Sequence, residues 1–189
     1  MRIGVLGGTF DPIHLGHLAA AHAAIECARL DRVLVIPTGV PPHRPPTVAG
    51  EDDRLEMARL ATAGDGRFEV SDIELRRSGA SYTVDTLREL RRRHPNDELF
   101  LILGWDAAKQ LGTWRAPDEV RRLARVIVVT RPGSGSPATT TEILCERPTP
   151  DISGSALRRA IADGEDVGDR LPEAVAAYIA RHHLYGDNR

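Results

Sequence analysis

Two histidines three positions apart, His14 and His17, flank Gly16 directly behind the run Gly7-Gly8-Thr9-Phe10-Asp11-Pro12. Taken alone, a histidine pair at a helix start reads as structural or as half of a metal site. No further His, Cys or acidic cluster with zinc spacing accompanies it, so no protein-held metal is expected. The glycines suggest another chemistry. They let the backbone approach a ligand closely, and N–H groups freed by a turn at the positive end of a helix favour anions. The stretch therefore reads as a phosphate site, with Asp11 taken to cap its own turn through the side chain.

The elements on either side suit that reading. Ile3, Val5 and Leu6 form a first strand that breaks at the glycines, and a helix begins near Leu15. Val33 to Ile36 is apolar on both faces and ends at Pro37, as a buried parallel strand does. Thr38 to Pro46 holds four prolines around His43 and Arg44 and reads as a stiff loop. A helix is expected over Glu51 to Ala63, and a short strand at Phe68 to Val70 continuing through Ile73 and Leu75. Ser81 to Thr86 is expected to start another helix from a Ser or Thr cap. Leu99 to Leu103 is the clearest buried strand, running into Gly104-Trp105-Asp106. Short helices at Ala107 to Gln110 and Pro117 to Ala124 precede a fifth strand at Val126 to Val129. Arg131 to Thr141 reads as a mobile loop. Ile143 to Cys145 is a candidate edge strand, Ile152 to Ser155 caps a helix through Ile161, and a last helix spans about Pro172 to His182.

Strands alternating with helices predict an α/β, Rossmann-like, doubly wound and mostly parallel sheet, with helices on both faces and a small helical C-terminal part. Ligands in such sheets bind outside the carboxyl ends of the strands. The loops at Gly7 to His17, Thr38 to Arg44 and Gly104 to Asp106 all leave strands at that edge. One domain over residues 1–189 is expected from the length.

With 25 basic and 27 acidic residues the net charge is −2. No long-range field draws nucleic acid or anionic lipid, and neither partner is expected. Lys109 is the only lysine, so long cationic contacts to phosphate fall to arginine, which suits bidentate recognition. Cys27 and Cys145, distant in sequence, fit a reducing cytoplasm better than a disulfide. Without a signal segment or an apolar run of about eighteen residues, a cytoplasmic location is expected. Oligomeric state is left open, a homo-oligomer included. The Arg91-Arg92-Arg93 run ends a helix, where cations suit the dipole.

The full pattern Gly-Gly-Thr-Phe-Asp-Pro-x-His-x-Gly-His resembles the signature of the HxGH nucleotidyltransferases, specifically the bacterial nicotinate-nucleotide adenylyltransferases. Pro41-Pro42-His43-Arg44, Ser81-Tyr82-Thr83, Gly104-x-Asp106, Trp114, Arg131-Pro132-Gly133, Ile152-Ser153-x-Ser155-x-Leu157-Arg158 and Leu171-Pro172-Glu173 to Leu184-Tyr185 extend the resemblance over nearly the whole chain. It implies that Gly7, Gly8, Thr9, Phe10, His14, Gly16 and His17 receive ATP, and that Ser153, Ser155 and Arg158 close on its triphosphate. Gly104 and Asp106 would face the ribose. His43 and Arg44 would join the anionic cluster, and Thr83 with Trp114 would fit the nicotinate ring. His14, His17 and Arg158 are the implied catalytic set. Two residues depart from the family pattern: Gly154 within the last motif, and Trp105 before Asp106.

The implied reaction joins ATP to nicotinate mononucleotide, giving deamido-NAD and pyrophosphate, with Mg²⁺ arriving on the ATP. A mononucleotide phosphate, with a second pKa of about 6, is largely ionised at neutral pH, so attack on the α-phosphorus requires no strong base. Catalysis then rests on placement and charge stabilisation, which imidazole, guanidinium and hydroxyl groups supply. Sibling enzymes acting on nicotinamide mononucleotide or phosphopantetheine are the nearest alternatives. A non-catalytic nucleotide sensor is a third. A redox dinucleotide domain is disfavoured because Gly-x-Gly-x-x-Gly is absent after the first strand.

Overall fold

A computed structural model describes residues 1–42, 45–130 and 142–186. Its six strands are β1 (Arg2–Gly8), β2 (Arg32–Pro37), β3 (Phe68–Val70), β4 (Glu98–Gly104), β5 (Arg125–Thr130) and β6 (Ile143–Glu146). All pair in parallel in the order β3-β2-β1-β4-β5-β6. The order reverses between β1 and β4, so the crevice at their carboxyl ends is the natural ligand position.

Alternation along the strands divides the core in two. Val33 and Val35 of β2 and Phe100 and Ile102 of β4 face one side, with α1 (Leu15–Ala28), α2 (Glu51–Thr62), α6 (Gly154–Ala162) and α7 (Glu173–Arg181) packed there. Leu34, Ile36, Leu99, Leu101 and Leu103 face the other, under α3 (Thr83–Arg93), α4 (Trp105–Gln110) and α5 (Pro117–Leu123). Both faces are covered, which is why these strands read as unbroken apolar runs. Alanines at 21, 23, 24 and 28 bring α1 close to the sheet.

Three expectations are corrected. β3 ends at Val70, and Ile73 and Leu75 lie in a turn; the alternation there reflects one buried side, Ile73 with Glu74, without strand pairing. The residue before α3 is Tyr82, and no side chain caps that helix. Cys27 and Cys145 form a disulfide, their Cα atoms 6.0 Å apart across a sequence separation of 118. Sequence distance misled there: the end of α1 crosses over edge strand β6, so remote positions meet. The cysteine argument for a reducing compartment falls with it. The 131–141 loop and the pair His43 and Arg44 lie outside the described residues. Among the described residues no helix is long and apolar enough to cross a membrane.

Candidate active site

At the carboxyl edge of the sheet, above the β1/β4 reversal, opens a cleft of about 1300 Å³. Gly7, Gly8 and Thr9 form its floor from β1, and His14, Gly16 and His17 its side from the start of α1. Gly104, Trp105 and Asp106 enter from β4 and α4, Thr83 from α3, Trp114 from the segment between α4 and α5, and Ser153, Ser155 and Arg158 from the start of α6. Residues spread over the whole chain are thus gathered by strand exits and helix starts.

The two imidazoles stack, with centroids 3.6 Å apart and planes at 20°. His14 precedes α1 in extended conformation, and its backbone N–H donates to His17 Nδ1 at 3.2 Å. A nitrogen that accepts carries no proton, so the His17 proton sits on Nε2, a donor. Phe10, itself fully buried and outside the cleft lining, meets the His17 ring edge-on at 5.0 Å. Its side chain therefore acts behind the histidine. His14 is buried, and desolvation lowers its pKa to about 4, which leaves it neutral at pH 7 in the ligand-free protein. Its Nδ1 is buried without a hydrogen-bond partner.

Gly16 has a steric reason. A Cβ there would meet His14 Nδ1 at 3.0 Å and the Pro150 carbonyl at 3.4 Å. At Gly7 a Cβ would meet nothing within 4 Å, so the open space above that strand end is left to a ligand.

Asp11 does not cap its own turn, contrary to expectation. Its carboxylate accepts hydrogen bonds from the Val48 N–H (2.8 Å), the Ala49 N–H (3.0 Å) and the Tyr185 hydroxyl (2.9 Å). Those partners satisfy both oxygens and tie the phosphate turn to the segment before α2 and to the C-terminal region. Burial beside this carboxylate raises the Tyr185 pKa, so the hydroxyl stays protonated and donating. Arg158 donates to the Asp11 carbonyl at 2.6 Å. The Ser153 and Ser155 hydroxyls lie 2.9 Å apart at the exposed start of α6, where Ser153 makes no capping bond to its own helix.

Asp106 is 92% exposed at its side chain and pairs with Lys109 at 2.8 Å. Trp105, the first residue of α4, packs against the apolar cluster on the α3 side while lining the cleft, and Trp114 does the same. Two charged residues went unnoticed in the sequence. Arg54 is fully buried on α2 and donates to the carbonyls of Thr9 (2.8 Å) and Thr38 (2.7 Å), pinning the exits of β1 and β2 together. Its position with Met57, Ala58 and Ala61 on one helical face is the available signal, since a cation on an apolar stripe needs a partner. Glu74 is also buried and lines the cleft.

The chain matches the family model described as cytidylyltransferase-like over residues 5–160. A Thermus thermophilus protein is 47% identical over 188 residues, covering 98% of this chain and all of the relative. A Clavibacter michiganensis protein is 44% identical, covering 98% of this chain and 94% of its own. Each is described as a probable nicotinate-nucleotide adenylyltransferase. Among solved structures, the Plasmodium falciparum nicotinic acid mononucleotide adenylyltransferase complexed with NaAD shares the fold at a TM-score of 0.81. It is 19% identical, with 97% of each chain covered.

Proposed function

Because the chain belongs to the cytidylyltransferase-like family, among the nicotinate-nucleotide adenylyltransferases, we propose that its cleft works as one in-line phosphoryl-transfer site using the residues gathered there. The enzyme transfers the adenylyl group of ATP to nicotinate mononucleotide, a step of NAD biosynthesis. An oxygen of the mononucleotide phosphate attacks the α-phosphorus. The bond from that phosphorus to the α–β bridging oxygen breaks, and pyrophosphate leaves with the electron pair.

One observation carries the assignment of roles: His17 Nδ1 accepts from the His14 backbone, which leaves Nε2–H as a donor. Such a donor matches the charge that grows on the bridging oxygen in the transition state. His14 and the turn of Gly7 to Thr9 hold the triphosphate, with Gly16 permitting close approach. Ser153 and Ser155 donate hydroxyls to it, and Arg158 supplies its fixed positive charge. Gly104 and Asp106 meet the adenosine ribose. Thr83 and Trp114 take the pyridine ring, and His43 and Arg44 contribute cationic and imidazole groups to substrate binding. No residue acts as a nucleophile.

Mg²⁺ enters with ATP as part of the substrate and shields the phosphate charge. The donors this chain sets around the phosphates suit an anion already carrying its cation: imidazoles, hydroxyls and a guanidinium, with the Asp11 carboxylate filled by three hydrogen bonds. Both substrates are multiply charged and cross membranes poorly, which fits a cytoplasmic enzyme; its 189 residues suit one domain.

Pyrophosphate release with MgATP and either nicotinate or nicotinamide mononucleotide tests the reading. Faster turnover of the acid is expected, because the uncapped start of α3 beside Thr83 presents a positive helix end to the ring substituent. Faster turnover of the amide overturns the acid preference, and no release with either overturns the enzymatic reading.

A further inference from the structure

Glu74 has no part in the chemistry above, yet it lines the same cleft with only 6% exposure. It sits in the turn after β3, between two cleft-forming segments. On one side its carboxyl accepts the Thr86 hydroxyl at 2.7 Å, in the first turns of α3. On the other the Thr38 hydroxyl, at the exit of β2, stabilises its charged form, as does Ser81 just before α3. Ser81 Oγ is buried beside this carboxyl. Arg77 extends the chain, donating to Thr86 Oγ1 at 3.1 Å and to Glu89 at 2.9 Å.

The backbones are equally close. A Cβ at Gly39 would strike the Glu74 carbonyl at 2.7 Å and Ser81 Oγ at 3.0 Å. Ser81 N–H donates to the Val40 carbonyl at 2.8 Å. Three segments thus meet at Glu74: the exit of β2, the turn after β3, and the start of α3, which no side chain caps.

We propose that Glu74 is a positioning residue for the pyridine mononucleotide, fixing the first turn of α3 and its Thr83 edge through the hydrogen bond with Thr86. The inference rests on the assignment of Thr83 to the pyridine ring. Burial is the largest influence on the carboxyl and raises its pKa, while Thr86 and Arg77 oppose the shift. Glutamine keeps a side-chain carbonyl that accepts from the Thr86 hydroxyl and should therefore replace it.

Steady-state kinetics on purified full-length Glu74→Ala and Glu74→Gln enzymes, varying each substrate in turn, test this. Loss of one anchoring hydrogen bond is expected to raise KM for nicotinate mononucleotide about tenfold in Glu74→Ala. KM for ATP should stay within about twofold and Glu74→Gln within about threefold of wild type, each less than one such bond. An unchanged mononucleotide KM in Glu74→Ala, parallel loss toward both substrates, or a glutamine variant as impaired as alanine overturns the proposal. Should Glu74→Ala fail to fold, Thr86→Val, which removes the bonded hydroxyl at similar volume, must show the same split. Wild-type enzyme inactive on nicotinate mononucleotide would overturn the functional reading itself, whereas an active wild type without the split overturns the role of Glu74 alone.

Discussion

Arg158 donates a hydrogen bond to the backbone carbonyl of Asp11 at 2.6 Å, across 147 positions of sequence. The bond joins α6 to the turn that ends β1, so the guanidinium is held over the phosphate floor before substrate arrives. A donor held in advance costs little reorganisation when charge develops. Arg158→Met is therefore expected to lower kcat by about 10²–10³. Its thermal midpoint should fall by only a few degrees, about one hydrogen bond's worth, since the side chain is partly exposed and methionine preserves the stem contacts. Parallel single-turnover and melting measurements check this, and a loss that follows unfolding would show a structural role only.

His17 offers a sharper test because its tautomer is set by a backbone donor. His17→Ala is expected to fold and to lose about 2.7–4 kcal/mol of transition-state stabilisation, the effect of one preorganised donor elsewhere. His17→Asn, which can donate from its amide, should recover part of the rate. Equal turnover of His17→Ala and wild type removes the histidine from the mechanism.

The fold was legible because its strands announce themselves. Val33 to Ile36 and Leu99 to Leu103 are apolar on both faces, and only burial between two helical layers accounts for that. His14, Gly16 and His17 stood out by their spacing, Ser153 and Arg158 only by the family resemblance, and all five line one cleft. Asp11, Arg54 and Glu74 were not, because their partners are carbonyls, N–H groups and hydroxyls whose positions exist only in the fold. Local patterns miss such ties: the Asp11 carboxylate reaches Tyr185, at a separation of 174. The Cys27–Cys145 bond escaped for the same reason.

That disulfide fastens α1, whose other end carries His17 and follows His14, to β6, which leads toward Ser153. By chain-entropy reasoning, closing so long a loop stabilises by about 4–5 kcal/mol at most. Unreduced protein should show no alkylatable thiol in mass spectrometry. Reduction should lower the thermal midpoint, and Cys27→Ser should abolish that response. A midpoint indifferent to reductant would show that the bond adds nothing to stability.

The depressed pKa of His14 makes a prediction with a definite sign. In the unfolded chain the imidazole protonates near its ordinary value of 6.5, whereas in the native site burial holds that step down to about 4. Between these values the unfolded state binds more protons, so stability falls as pH drops through the window and levels off below it. The full difference corresponds to about 3 kcal/mol, complete near pH 4 and absent above about pH 7. Denaturant midpoints for wild type and His14→Asn should therefore diverge in slope between these limits, with the asparagine variant flatter. Triphosphate beside the ring would favour the imidazolium and oppose desolvation. ATP binding at pH 6 should accordingly take up a fraction of a proton, visible as a dependence of the titration heat on the ionisation enthalpy of the buffer. The variant should lose that dependence; if it persists there, the proton belongs to another group.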